Sequence, residues 1–184
     1  MERRELIAAL ASIGVLGGGA AVALGGGDAL EARLSDDEEP AERREIETVD
    51  ARGSEAGTIE IPVPSQPTFI DFFGTWCPPC VEQMPALAEA HEEVGDEVRF
   101  VSVTNESVGD GQAASISPAE LADWWAEHDG NWTIGLDRNV ELAEQYGLSQ
   151  YPLAVAIDGA GYVQWSESGV KTTDELLEGI ERAR

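Results

Sequence analysis

The 184-residue sequence predicts an α/β domain with a mixed central sheet and helices on both faces. Two observations predict this class. Short apolar runs typical of strands alternate with helical patterns, which indicates parallel strands. A glycine-rich turn at 158–161 then joins two strands directly, which adds an antiparallel edge. The length is enough for one well-buried domain and an extension.

The elements follow in order along residues 58–184. Strands are predicted where short apolar or β-branched runs are bounded by turn residues: 58–61, 67–73, 98–104, 131–136, 153–157 and 162–166. Helices are predicted where apolar residues recur on one stripe or caps frame the segment: 79–94, 118–128, 139–146 and 173–183. Ser117-Pro118-Ala119-Glu120 combines an N-cap, a proline at the first helical position and a capping-box glutamate.

Two further segments precede the predicted domain. Residues 1–27 contain a paired arginine and then nineteen uncharged residues, 6–24, which together resemble a twin-arginine-like signal or a membrane anchor. Both a cleaved signal and a retained anchor remain open. Residues 28–57 are acidic with few large apolar side chains, which predicts a flexible linker. The predicted location is therefore extracytoplasmic, either secreted or membrane-anchored.

The formal net charge of -25 limits the possible partners. Such a field repels nucleic acid and anionic lipid. Because the acidity is spread over the predicted domain as well as the linker, the whole surface is affected. Salt at about 1 M shortens the Debye length to roughly 3 Å and removes most of the self-repulsion. The charge thus favours a halophilic protein, and an acidic solubility surface in an ordinary cell is the alternative.

Cys77 and Cys80 are the only cysteines, and they lie where an apolar strand gives way to a helix. At a helix N-terminus, unpaired N–H groups and the macrodipole favour a thiolate, which is the form that attacks disulfides. A zinc site normally needs four ligands at suitable spacing, and beyond these cysteines the chain offers only His91 and His128, which are far apart in sequence and not in a metal-ligand pattern. A structural disulfide closing so short a loop would add little stability. Redox chemistry without a metal is therefore predicted.

The cysteines belong to a set of motifs that resemble a known superfamily. The motifs are Phe72-Phe73-Gly74-Thr75-Trp76-Cys77-Pro78-Pro79-Cys80, Met84-Pro85, Tyr151-Pro152, and Ala156-Ile157-Asp158 with Gly161. Together they resemble the thioredoxin-like superfamily, in particular its TlpA/ResA branch of extracytoplasmic thiol-disulfide oxidoreductases. Residues 105–135 are similar to the insertion typical of that branch. The resemblance implies a thioredoxin-like fold over 58–184, with a redox-active disulfide and no metal or organic cofactor.

The resemblance also implies roles for individual residues. Cys77 would be the exposed nucleophile and Cys80 the resolving thiol. Asp71 falls where thioredoxins carry a buried acid that handles the Cys80 proton, and burial would raise its pKa. Alternatively, Asp71 could merely cap the strand or face water. Pro152 would be the cis-proline beside the active site, with Tyr151 offering its backbone to an extended substrate segment.

The surroundings of the cysteines carry the remaining expectations. Trp76 is expected on the docking surface. Pro78 and Pro79 each lack an N–H, which should reduce the donors available to the thiolate. Gln83 stands directly before Met84-Pro85. At this position the reductive members of the branch commonly carry a glutamate, whereas Gln83 is a neutral amide that cannot take a proton. This departure argues against a specialised role in cytochrome maturation and leaves generic dithiol exchange intact.

The predicted function is reversible thiol-disulfide exchange contributing to cell redox homeostasis. The implied partners are protein disulfides, with apocytochrome c among the candidates, and a membrane thiol carrier as electron source. A peroxide reductase of the peroxiredoxin type and a non-enzymatic binding or chaperone module with a fixed disulfide are the alternatives. Five aromatic side chains are expected to pack rather than to act: His91, Trp124, Trp125, Trp132 and Trp165.

Overall fold

The computed structural model describes residues 39–184. The expected signal or anchor at 1–27 and the first part of the expected linker therefore lie outside the described residues. Among the described residues, no helix is both long enough and apolar enough to cross a bilayer.

The described part of the chain contains seven strands and four α-helices. The strands are β1 (Arg44–Thr48), β2 (Gly57–Ile61), β3 (Thr68–Phe72), β4 (Arg99–Thr104), β5 (Thr133–Leu136), β6 (Leu153–Ile157) and β7 (Val163–Ser168). The helices are α1 (Pro78–Val94), α2 (Pro118–Glu127), α3 (Glu141–Gln145) and α4 (Thr173–Glu181), with a 3₁₀ turn at Gly95–Glu97.

All seven strands form one sheet in the order β2-β1-β5-β4-β3-β6-β7. The three central strands β3, β4 and β5 run parallel, and every other neighbouring pair is antiparallel. The predicted mixed sheet is therefore confirmed. The antiparallel part is larger than expected, because a hairpin flanks the parallel centre on each side.

The extra hairpin corrects the predicted domain boundary. Residues 44–48 were expected within the flexible linker 28–57, but they form β1, which pairs with both β2 and β5. The strand buries Ile46 and Thr48 and leaves Glu45 and Glu47 exposed. Arg44 then reaches α3, where it donates to Glu141 at 2.8 Å and to Gln145 at 2.9 Å. The folded domain thus begins before residue 58.

Alternation along β3 assigns its side chains to two hydrophobic layers. Phe69 and Phe73 belong to the layer that packs under α1, α2 and α4. Ile70 and Phe72 belong to the opposite layer, which α3 covers. Helices on both faces are therefore confirmed. Asp71 shares the spacing of Phe69 and Phe73, so it lies on the α1 side of the sheet.

The helix boundaries follow local capping chemistry. The predicted capping box at α2 is confirmed, with Ser117 and Glu120 bonding each other's backbone N–H groups. An equivalent box between Thr172 and Glu175 begins α4. Gly147 adopts φ +67° just past α3, a left-handed conformation that glycine accepts at low cost.

Candidate functional site

The cysteine motif occupies the turn between β3 and α1. Cys77 is the N-cap of α1 and has extended backbone angles, while Cys80 lies at its third helical position. The preceding turn needs a glycine, because a Cβ at Gly74 would lie 2.8 Å from Cε2 of Trp76. The indole of Trp76 therefore lies directly against the backbone before the cysteines, and it is 62 % exposed.

Cys77 and Cys80 form a disulfide. The expectation of an exposed nucleophile is wrong for this oxidised state, because Cys77 is only 3 % exposed and Cys80 1 %. Both sulfurs belong to the hydrophobic layer under α1, against which Tyr151 also packs. The Cys77 side chain is therefore covered by residues of this layer while it is bonded to Cys80.

The helix N-terminus offers few donors to Cys77. Its Sγ accepts one hydrogen bond, 3.2 Å from the Cys80 backbone N–H. An N-cap side chain can accept from the second or third helical residue. Pro79 occupies the second position and has no N–H, so one of these two donors is missing. The N-terminal position therefore activates Cys77 less than a proline-free helix start would.

Asp71 lies beneath α1 and is buried, with 1 % exposure. Desolvation raises the pKa of Asp71 from its ordinary 3.8 to about 7, while hydrogen bonds from Ser102 and Gln83 oppose the shift. Ser102 donates to Oδ2 at 3.2 Å and itself accepts from the Trp132 indole N–H at 2.9 Å. Asp71 is therefore buried, as the resemblance implied, and the alternative of a strand-end aspartate facing water is wrong. Its role in catalysis stays a prediction.

Gln83 connects Asp71 to the loop between β7 and α4. Its side-chain amide donates to Asp71 Oδ1 at 3.1 Å, and its carbonyl accepts from the Lys171 backbone N–H at 2.9 Å. In the same loop, the Gly169 N–H donates to the carbonyl of Pro152 at 2.8 Å. The Lys171 ammonium closes this loop by donating to the carbonyls of Ser168 and Gly169.

The surface formed by Trp76 with its neighbour Cys77, and by Tyr151 with its neighbour Pro152, is called here the disulfide face. The Tyr151–Pro152 peptide bond is cis, as the resemblance implied. The Trp76 and Tyr151 rings meet edge to face with centroids 5.3 Å apart. Partial burial raises the pKa of the Tyr151 hydroxyl. The structure thus brings Trp76 and Tyr151 together beside the cysteine motif, while the role of this face in substrate docking stays a prediction.

Two polar residues after β4 also contact this region. Asn105 Oδ1 accepts the Tyr151 hydroxyl at 2.6 Å. The Glu106 carboxylate accepts the Thr75 backbone N–H at 2.7 Å and the Thr75 hydroxyl at 2.9 Å. Sequence reasoning missed both residues. The available signal was their place directly after a parallel strand beside β3, since the carboxyl ends of parallel strands share one edge of the sheet.

The other candidates lie away from this site or pack in the core. His91 contacts Phe100 and Trp132, and burial lowers its pKa. Trp125 and Trp132 are buried, and Trp124 stacks on Phe73, so these expectations of packing are confirmed. Trp165 is buried as well. Within residues 39–184, no three His, Cys, Asp or Glu side chains are grouped as metal ligands.

Comparisons with known proteins agree with this geometry. A family model described as Redoxin matches residues 45–181. The thiol-disulfide oxidoreductase ResA of Bacillus thuringiensis is 24 % identical over 115 residues, which cover 62 % of this chain and 61 % of ResA. The sporulation thiol-disulfide oxidoreductase A of Bacillus subtilis is 26 % identical over 128 residues, which cover 69 % of this chain and 74 % of that protein. The match therefore spans less than two thirds of the length of ResA.

Solved structures support the fold independently. The crystal structure of StoA from Bacillus subtilis superposes with a TM-score of 0.59 and 24 % identity, covering 76 % of this chain and 98 % of StoA. At this identity the likeness establishes a shared thioredoxin-like fold. The matched family region starts at residue 45, inside β1, which agrees with the corrected domain boundary.

Proposed function

The chain belongs to the Redoxin family, and on that premise we propose that it is an extracytoplasmic thiol-disulfide oxidoreductase that acts on protein substrates through Cys77 and Cys80. One observation carries the proposal: the Cys77–Cys80 disulfide lies at the N-terminus of α1, and the same helix contacts, through Gln83, the buried carboxyl group of Asp71, whose pKa burial raises to about 7. Relatives named as thiol-disulfide oxidoreductases support the same activity.

The exchange begins at Cys77. In the reducing direction, its thiolate attacks one sulfur of a substrate disulfide, so that a Cys77–substrate bond forms and the substrate S–S bond breaks. The departing substrate thiolate takes a proton from water. Cys80 then attacks Cys77 Sγ, which releases the second substrate thiolate and restores the Cys77–Cys80 disulfide. The substrate gains two electrons and the chain loses two.

Asp71 supplies the base for the second step. Cys80 must lose a proton before it attacks, and Gln83, one helical turn after Cys80, touches the Asp71 carboxylate. A carboxyl group with a pKa of about 7 exists in both protonation states near neutrality, which suits it to accept and return a proton. We therefore assign Asp71 as the group that accepts the Cys80 proton.

The disulfide face supplies the docking surface in this proposal. Exposed Trp76 gives an apolar contact beside Cys77, and the Tyr151–Pro152 backbone offers strand-like pairing to an extended substrate segment. The substrates are disulfide-containing proteins. Gln83 in place of a glutamate disfavours apocytochrome c as the dedicated substrate, and leaves a broader range of clients.

Electrons must reach the chain from outside for repeated reduction. An exported domain cannot meet cytosolic reductants, so a membrane thiol carrier is the proposed electron source. No metal or organic cofactor takes part in the proposed cycle. The uncharged stretch at 6–24 would direct export and, if uncleaved, would hold the domain near that carrier.

One observation favours a second candidate function. Cys77 is only 3 % exposed in the disulfide form, and a buried disulfide is less accessible to attacking thiols. The chain would then bind protein segments through Trp76 and Pro152 while its disulfide stays fixed. Exchange and fixed binding differ in whether Cys77 forms covalent bonds with substrates.

Replacing Cys80 by serine tests the proposal. Without the resolving thiol, Cys80→Ser should accumulate mixed disulfides between Cys77 and client proteins, visible as adducts that dithiothreitol removes. The matched control Cys77→Ser should accumulate none, because the attacking sulfur is gone. If Cys80→Ser yields no reducible adducts in cells or with a purified protein disulfide, the exchange mechanism is wrong.

A further inference from the structure

The chain segment just after β4 contacts both loops that form the disulfide face. Asn105 and Glu106 follow Thr104, the last residue of β4. Since β4 pairs in parallel with β3, its end emerges at the same edge of the sheet as the loop that carries the cysteines. Asn105 and Glu106 are called here the β4-end pair.

Glu106 holds the cysteine loop on one side. Its two carboxylate oxygens each take a different donor of Thr75, the backbone N–H at 2.7 Å and the hydroxyl at 2.9 Å. Thr75 directly precedes Trp76 and Cys77. Hydrogen bonds to a carboxylate are stronger than those between neutral groups, so this contact fixes the backbone from which Trp76 projects.

Asn105 holds the loop that carries the cis-proline. Its carbonyl oxygen accepts the Tyr151 hydroxyl at 2.6 Å. Tyr151 precedes the cis-proline, and its ring meets the edge of Trp76 at a centroid distance of 5.3 Å. Two consecutive residues therefore bind the two walls of the disulfide face, Thr75–Trp76 and Tyr151–Pro152, whose rings meet beside the cysteine motif.

The β4-end pair itself rests on a braced segment. The Glu106 N–H donates to the Thr104 hydroxyl at 3.2 Å. Two residues later, the Val108 carbonyl accepts from Arg138 at 2.8 Å, and Arg138 also pairs with Glu47 of β1 at 2.7 Å. The unexpected first strand thus helps to anchor the segment that reaches the disulfide face.

We propose that Asn105 and Glu106 are positioning residues for protein substrates, which hold Thr75–Trp76 and Tyr151–Pro152 at the separation that places a docked disulfide in line with Cys77. The proposal rests on the proposed exchange function and deepens it. A protein substrate needs both walls at once, whereas a small disulfide needs only access to Cys77. Small misplacements of docking groups lower reaction rates strongly.

The test compares two substrates for the reduced full chain. One is insulin, a protein disulfide, and the other is hydroxyethyl disulfide, a small one. The readout is the ratio of the two second-order rate constants, together with KM and kcat for insulin. Glu106→Gln should lower the ratio roughly ten-fold, because an amide offers one acceptor where Thr75 presents two donors. Asn105→Ala should lower it roughly three-fold to five-fold. In both variants, KM for insulin should rise more than kcat falls.

Partner variants test each contact from its other side. Tyr151→Phe removes the same hydrogen bond as Asn105→Ala, so the double variant should lose no more than the worse single variant. Thr75→Val removes one of the two donors to Glu106, and it tests that contact even if Glu106→Gln folds poorly. Glu127→Gln changes an exposed residue at the end of α2 and Glu178→Gln an exposed residue of α4, and both should leave the ratio unchanged.

Two results would contradict the positioning role of the β4-end pair, and a third, different result would contradict the proposed exchange function. If the wild type reduces both substrates and the variants keep its ratio, the β4-end pair has no positioning role. Additive losses in the Asn105–Tyr151 double variant would also contradict the role assigned to that contact. If the wild type reduces neither substrate, the proposed exchange function itself fails.

Discussion

The side-chain amide of Gln83 donates to Oδ1 of Asp71 at 3.1 Å, and its own carbonyl oxygen accepts the Lys171 backbone N–H at 2.9 Å. The second bond sets the orientation of the amide, because the backbone N–H can only donate. Gln83 must therefore present its NH₂ group to Asp71, which favours the carboxylate. The Asp71 pKa of about 7 is the balance between burial, which raises it, and the bonds from Ser102 and Gln83, which lower it.

Gln83→Glu should shift the acid-base behaviour of the site. The substitution places a second carboxyl group beside Asp71, and two adjacent carboxyl groups resist losing both protons. We expect the pH profile for release of the mixed disulfide to move to higher pH. Gln83→Leu is the control, since it removes the donor without adding a carboxyl group and should move the profile less. A profile unchanged in Gln83→Glu would show that Gln83 does not influence the reacting group.

Asp71→Asn should stabilise the protein in a pH-dependent way. The raised pKa means that, between pH 3.8 and about 7, the folded chain binds the Asp71 proton more than the unfolded chain does. The free energy of unfolding contributed by Asp71 therefore falls as pH rises through this window, by roughly 4 kcal/mol at most. Asp71→Asn removes this loss. The free energy of unfolding of the variant should therefore exceed that of the wild type by a large amount at pH 8 and by a small amount near pH 4.

Denaturant unfolding of the oxidised protein at both pH values measures this difference. Asp123→Asn is a matched control on the surface of α2, and its effect should not depend on pH over the same window. An advantage of Asp71→Asn that is equal at pH 4 and pH 8 would refute the raised pKa.

The Asp71→Asn variant should also slow release of the mixed disulfide by roughly ten-fold or more, because its amide cannot take the Cys80 proton.

Pro79→Ala should lower the pKa of the Cys77 thiol. The new N–H at the second helical position can donate a hydrogen bond to Cys77 Sγ. In the wild type this sulfur accepts a hydrogen bond only from the Cys80 N–H. One hydrogen bond to a charged group corresponds to roughly one pKa unit. The additional hydrogen bond stabilises the reduced state. The reduction potential of the Cys77–Cys80 couple should therefore rise by on the order of 10 to 30 mV, which makes the couple more oxidising.

Iodoacetamide alkylation of the reduced protein across pH measures the thiol pKa. Pro78→Ala is the matched control, because the N–H at the first helical position does not reach the N-cap side chain. Equal effects from both proline substitutions, or none from Pro79→Ala, would contradict the assignment of the missing donor.

Salt should stabilise the domain. The net charge of -25 creates self-repulsion that screening removes. We expect the thermal midpoint to rise steadily as potassium chloride increases from about 0.1 M to about 3 M, with most of the rise at the low end. A midpoint that stays constant over the series would count against a halophilic protein.

Much of the fold could be predicted because its signals are local. The helix after Cys77 and the box at Ser117 follow from spacing and capping within a few residues. The strand β1 could not be predicted so easily. It has a single large apolar side chain, Ile46, amid charged residues, and its pairing with β5 joins residues far apart in the chain.

The site shows the same division between local and long-range information. The helix-cap position of Cys77 and the burial of Asp71 agree with expectations from the motif. The link from Gln83 to Lys171 spans 88 residues, and that from Asn105 to Tyr151 spans 46. Such contacts depend on how the loops meet at the sheet edge, which no local pattern encodes. The burial of Cys77 has the same origin, because the surrounding layer packs only in the folded state.

The equilibrium reduction potential of the Cys77–Cys80 couple tests the central claim most directly. It is measured by equilibrating the full chain with defined thiol-disulfide buffers and quantifying the free thiols. Exchange with protein substrates predicts a potential between roughly -300 and -120 mV, the range of couples that react with physiological thiols. A potential well below about -300 mV would show a disulfide that resists reduction, and would contradict the account.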